Sequence, residues 1–152
     1  MAERYTVLGA GHGGKAMAAH LATMGAEVAL WNRSFDHIEV IKKRGGIDLE
    51  IPETSTHSFG AIGLVTSDIA EAIGFAQVIM VVLPSSAHAD VAKISAPYLK
   101  DGQIVILHPG RTLGAVEFVR VIRANGCTAD VTVAEAETDR KSTRLNSSHR
   151  IR

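Results

Sequence analysis

Val7-Leu8-Gly9-Ala10-Gly11-His12-Gly13-Gly14-Lys15-Ala16 decides how the rest of the chain is read. A short apolar run leads into glycines at positions 9, 11 and 14, and a small-residue helical pattern, Ala16–Ala22, follows. Strand, glycine turn and helix in that order make a credible dinucleotide site, which a bare G-x-G-x-x-G would not. The first glycine permits the tight turn. The second has no Cβ, so a pyrophosphate can come close to the backbone, and the third lets helix and strand pack tightly. Gly9, Ala10, Gly11, His12, Gly13 and Gly14 are therefore the expected pyrophosphate cradle, at the positive end of a helix dipole. His12 would contribute its backbone N–H more than its ring.

Outward from this turn, apolar runs alternate with helical patterns. Strands are expected at Arg4–Leu8, Glu27–Trp31, Gln77–Leu83, Gln103–Leu107 and Val131–Ala134. Helices are expected from about Gly13 to Met24 with Gly25 closing it, from a Ser34 cap through Lys43, at Ile69–Gly74 behind Ser67-Asp68, at Ala87–Ala96, and at Leu113–Ala124. In the last of these, Val116, Val119 and Ile122 are the expected apolar face. Ile47–Ile51 alternates like an exposed strand, Pro52–Gly60 is rich in turn residues, and Ala61–Val65 could return as a strand. The fold class is α/β, a doubly wound and mostly parallel Rossmann sheet with helices on both faces.

Composition narrows the function. The 152 residues suit a single domain, 46% of them are apolar, and the formal net charge is zero. Nothing points to nucleic acid or to an anionic membrane surface. No apolar run is long enough to span a bilayer and no signal peptide is evident, so the cytoplasm is the expected location. The single cysteine, Cys127, reads as a small buried residue and rules out an internal disulfide framework. No cluster has metal-ligand spacing, and no nucleophile–base pair is evident. Asp139–His149 is polar, basic and unpatterned, and resembles the conceptual translation of a short-read sequencing adapter. The expected domain is thus 1–138, with 139–152 a non-native tail.

In a doubly wound sheet the ligand lies beyond the carboxyl ends of the strands. The loops there hold the other candidates. Asn32, Arg33 and Ser34 end the second strand, where an acidic residue would select a ribose 2′-OH and an arginine a 2′-phosphate. With no carboxylate before Asp36, and with the guanidinium of Arg33 beside a serine hydroxyl, NADP is favoured over NAD. Leu83, Pro84 and Ser85 either pass beneath the cofactor riboses or simply end a strand. Pro109, Gly110 and Arg111 form a turn towards the nicotinamide end, where Arg111 could meet a carboxylate or a phosphate. Glu135 and Thr138 close the final strand on the same side. His88 reads as a packing or capping residue.

Three segments carry a resemblance: the glycine turn, Leu83-Pro84-Ser85-Ser86-Ala87-His88, and Asp101–Phe118 with its His108-Pro109-Gly110-Arg111 loop. Through them the chain resembles the N-terminal domain of the opine dehydrogenase family, of octopine/nopaline type, over essentially all of residues 4–138. It departs from the family pattern at His108, where asparagine is commoner, and at Leu113, where glycine is usual. The resemblance implies an NAD(P)-dependent oxidoreductase acting on CH–NH bonds. Such an enzyme condenses an amino acid with a 2-oxo acid and reduces the imine to a secondary-amine dicarboxylate. It also implies that the catalytic histidine and carboxylate lie in a C-terminal helical domain absent here, so no catalytic residue is assigned and the fragment is expected to be inactive. Expected partners are the dinucleotide and, in the full-length enzyme, its two small-molecule substrates; a homodimer is left open. Alternatives are the cofactor domain of a glycerol-3-phosphate, ketopantoate or 6-phosphogluconate dehydrogenase-like enzyme and, in a different class, a non-catalytic nucleotide-sensing module.

Overall fold

The apolar strands at Arg4–Leu8, Glu27–Trp31, Val78–Val82 and Ile104–His108 are hydrogen-bonded on both edges, which is why their runs read as near-continuous hydrophobes. A computed structural model describes residues 2–51, 56–110 and 112–136. Its strands are β1 (Arg4–Leu8), β2 (Glu27–Trp31), β3 (Gly46–Ile51), β4 (Thr56–Ala61), β5 (Leu64–Thr66), β6 (Val78–Val82), β7 (Ile104–His108) and β8 (Thr132–Glu135). Its α-helices are α1 (His12–Thr23), α2 (Glu39–Arg44), α3 (Ile69–Phe75), α4 (His88–Ser95) and α5 (Gly114–Ala124). Six strands form one parallel sheet in the order β5-β2-β1-β6-β7-β8. The chain winds outward from β1 in one direction, then restarts at β6 and winds the other way. The switch point lies between β1 and β6, and there a crevice opens beyond the strand ends.

Alternation along the strands divides the core in two. Leu8, Ile79, Val81, Val105 and Leu107 face one side, where they meet Ala72 and Ile73 of α3, Val91 and Ala92 of α4, and Phe118 and Ile122 of α5. Val7, Val28 and Leu30 face the other side, against Ala18 of α1 and Ile38 and Ile41 at α2. Strands β3 and β4 form a separate antiparallel hairpin, Gly46 opposite Ala61 and Asp48 opposite Phe59. The hairpin backbone lies directly on α1. A Cβ on Gly60 would come within 2.6 Å of the Ala19 carbonyl oxygen.

The doubly wound class is as expected, with three local corrections. The helix expected from Ser34 to Lys43 is broken: a 3₁₀ turn, Phe35–His37, precedes α2. Ser34 makes no side-chain cap bond, so nothing supports a regular first turn, and the chain bends at Ile38, which is fully buried. The Pro52–Gly60 turn and the Ala61–Val65 strand are also revised, because β4 occupies Thr56–Ala61 and β5 begins at Leu64. Pro52 to Ser55 lie outside the described residues. β4 draws its backbone partners from the neighbouring β3, a hairpin pairing that the turn-rich composition of Pro52–Gly60 does not advertise. Finally, Val116 is 63% exposed, and the buried seam of α5 is Phe118 and Ile122. A strict three-residue step drifts around a 3.6-residue helix, so Val116 and Ile122 cannot share one narrow face. The expected tail at 139–152 lies outside the described residues.

Candidate dinucleotide site

The glycine turn joins β1 to α1, and its three motif glycines differ in what surrounds them. Gly9 has φ +113°, and a Cβ there would stand 2.5 Å from the Val82 carbonyl oxygen and 2.7 Å from Leu83 Cδ2. The turn is therefore pressed against the end of β6. Gly14 is closed by its own turn, since a Cβ would lie 1.8 Å from the Gly9 carbonyl oxygen. Gly11 differs from both. It has ordinary extended backbone, φ −70° and ψ −174°, and a Cβ would meet nothing within 4 Å. A glycine with no internal reason to be glycine leaves open space in front of its backbone, where a pyrophosphate fits.

Donors and charge fit the same group. The first helical bond of α1 runs from Lys15 N–H to the Gly11 carbonyl at 3.0 Å, so the amides of His12, Gly13 and Gly14 precede it. No acidic residue stands in the first turn of α1 to repel an anion. Ala10 N–H is already engaged: it donates to Asn32 Oδ1 at 3.1 Å, and Asn32 Nδ2 donates to the Ser34 carbonyl at 3.0 Å. The Asn32 side chain thus ties the glycine turn to the end of β2.

Across the switch point, the Leu83–Ser86 loop faces the end of β2. Between them lies a cleft of about 310 Å³, lined by Asn32, Arg33, Leu83, Ser86, Asp90 and Val91, with Trp31 and Ala87 behind. Trp31 is held from below by a 3.1 Å bond from its Nε1 to the Ser67 carbonyl. The cleft has the polar mouth and apolar wall that an adenosine needs. Arg33 and Ser34 are exposed at its edge. His88 is 5% exposed and its Nε2 lies 3.1 Å from the Leu83 carbonyl oxygen. It therefore pins the loop that forms one wall, in keeping with its reading as a packing residue. Pro84 and Ser85 are exposed in that loop.

The remaining candidates gather further along the same sheet edge. His108 is paired in register with Val82, and Pro109 and Gly110 follow it. Gly110 N–H donates to the Ala136 carbonyl at 2.7 Å, and a Cβ on Gly110 would stand 2.4 Å from Glu135 Cβ. Glu135 has a structural duty: its Oε1 accepts from Ala115 N–H at 2.5 Å, serving the open N-terminus of α5. Burial holds the His108 imidazole below its ordinary pKa, and its Nε2 is buried with no hydrogen-bond partner among the described residues. Arg111 and Thr138 lie outside the described residues. Cys127 is free and buried. Among the described residues, no group of three His, Cys, Asp or Glu side chains could hold a metal ion, and no helix is long and apolar enough to cross a membrane.

The reading of the sequence passed over Asp90, which projects from the first turn of α4 into the cleft. The one available signal was its place just after a loop already expected at the ligand edge.

A parallel sheet in this order, with a glycine turn opening its first helix at the switch point, is the architecture of the NAD(P)-dependent dehydrogenases. The family model described as the N-terminus of NAD-dependent glycerol-3-phosphate dehydrogenase matches residues 4–122, and the chain belongs to that family. An opine dehydrogenase of Arthrobacter sp. (strain 1C) is 41% identical over 134 residues, 88% of this chain and 36% of the relative. A glycerol-3-phosphate dehydrogenase [NAD(P)+] of Pseudoalteromonas translucida (strain TAC 125) is 33% identical over 102 residues, 64% of this chain and 28% of the relative. Among solved structures, octopine dehydrogenase in complex with NADH and agmatine superposes with a TM-score of 0.72 at 22% identity, covering 86% of this chain and 34% of the other. Yersinopine dehydrogenase with NADP+ bound gives a TM-score of 0.70 at 21% identity, covering 88% and 34%. The chain thus spans about a third of the length of the relatives it matches.

Proposed function

We propose that residues 1–138 are the dinucleotide-binding domain of an opine-type dehydrogenase that uses NADPH in preference to NADH. The observation that carries the dinucleotide reading is the glycine turn: two of its glycines are closed by neighbouring backbone, and Gly11 alone faces open space. When bound, the nicotinamide would supply the hydride for reduction of a carbon–nitrogen double bond formed from an amino acid and a 2-oxo acid. This chain's residues hold and orient it. Amides at the start of α1 receive the pyrophosphate, the cleft beside Trp31 takes the adenosine, and the guanidinium of Arg33 with the Ser34 hydroxyl receives a 2′-phosphate. Pro109, Gly110 and Glu135 border the nicotinamide. The opine reading is supported by the Arthrobacter relative. No residue here is assigned to the chemical step.

A second reading, an enzyme acting on glycerol 3-phosphate, is favoured by the matching family model. In the full-length protein, NADPH oxidation should require an amino acid and a 2-oxo acid together. Oxidation of glycerol 3-phosphate with NADP would decide for the second reading. For this chain the test is titration with NADPH and NADH, followed by ligand fluorescence. We expect tighter binding of NADPH, and loss of that preference in Arg33→Ala. A preference for NADH in the unmodified chain would remove Arg33 and Ser34 from their role.

A further inference from the structure

The end of β2 offers Asn32-Arg33-Ser34 and no acidic side chain, yet a carboxylate does reach the cleft. It comes from the opposite wall. Asp90 in the first turn of α4 places Oδ2 3.5 Å from Arg33 Nη2. Both side chains are about two-thirds exposed, 67% and 68%, so the pair sits at the mouth in contact with solvent.

We propose that Asp90 is a specificity-determining residue of this cleft: it holds the Arg33 guanidinium from across the mouth and weakens the site's preference for a 2′-phosphate. The proposal rests on the reading of Arg33 as the group that receives that phosphate. A guanidinium paired with one carboxylate presents less net positive charge to a second anion. A phosphate arriving at Arg33 must also share the mouth with the like charge of Asp90, which already stands against the same guanidinium. The ribose 2′-OH of NADH carries no charge and meets no such penalty. The site therefore accepts both dinucleotides with a smaller gap between them than Arg33 alone would give. Because the pair is exposed, its influence is modest, about two- to fivefold in affinity, and it is screened by salt.

The test compares the unmodified chain with Asp90→Asn, Asp90→Glu and Arg33→Ala. NADPH and NADH affinities are measured for each at low and at high ionic strength. Asp90→Asn is expected to stay folded with a slightly lower thermal midpoint, since the side chain is exposed and its charge stands in the first turn of α4. Asp90→Asn should bind NADPH about two- to fivefold more tightly and leave NADH unchanged, the gain shrinking as salt is added. Asp90→Glu, which keeps the charge, should stay near the unmodified ratio. If Arg33→Ala lowers the NADPH-to-NADH ratio while Asp90→Asn leaves it unchanged or lowers it, the proposal fails and the reading of Arg33 stands. If Arg33→Ala leaves the ratio unchanged, both fail.

Discussion

His108 shows how a single side chain records its surroundings. It stands at the carboxyl end of β7 with its Nε2 buried and unpartnered among the described residues, and burial disfavours its charged form. Its folded pKa therefore lies below the ordinary 6.5 that it regains on unfolding. Between those two values the unfolded chain binds more protons than the folded one, so stability rises with pH across that window. The contribution is present in full above 6.5 and is lost as the pH falls towards the folded value. Urea unfolding followed at neutral and at mildly acidic pH should show the chain weakening in acid. His108→Asn, which keeps a polar group without a titrating one, should lose much of that dependence. An identical pH dependence in the variant would mean that other groups carry it. The loop around His108 was legible in the sequence, but the isolation of its ring was not, because burial comes from strands distant in the chain. Asp90 was missed for the same reason: its partner Arg33 lies fifty-seven positions away.

Among the elements, the start of α5 is the one built against local preference. Leu113 occupies its N-cap position with φ +62°, the left-handed region that costs an L residue about 1 kcal/mol. Its side chain is 67% exposed and makes no cap bond, so packing returns little of that cost. This is also where the resemblance expects glycine. Leu113→Gly should therefore raise stability, by up to about 1 kcal/mol after the added flexibility of the unfolded chain is counted. A shift in thermal midpoint checks this, and a lower midpoint would show that Leu113 is packed in solution. Elements with strong local signals were read closely. β1, β2 and the Asp68-capped α3 have their boundaries in sequence, the last because Asp68 Oδ1 accepts from Ala70 N–H at 2.8 Å. The hairpin β3–β4 was half legible. Its second strand depends on pairing with β3, which leaves no mark on Thr56–Ala61 itself, and on close approach to α1, whose one mark there is Gly60.

On the scale of the molecule, the order of strands places the glycine turn, the cleft and the Pro109–Gly110 loop along one edge of one sheet. That much follows from a sequence in which apolar strands alternate with helices, because parallel crossovers are right-handed and the strand ends must then line up. The sheet's cover is uneven. Ile104 and Ile106 of β7 are only partly buried, whereas Val105 and Leu107 between them are fully inside, so one face of this half is less covered than the other. The central claim is that the glycine turn is built to hold a pyrophosphate, and two glycines within it separate binding from folding. Gly14→Ala puts a Cβ into the Gly9 carbonyl, so it should destabilise the whole chain. Gly11→Ala meets open space and an unstrained backbone, so it should leave the thermal midpoint unchanged. The decisive measurement is calorimetric titration of NADPH into the unmodified chain and into Gly11→Ala. Binding by the first, weakened at least about tenfold in the second at equal thermal stability, is the expected result. Equal NADPH affinity in the two, or no binding by the folded unmodified chain, would contradict it.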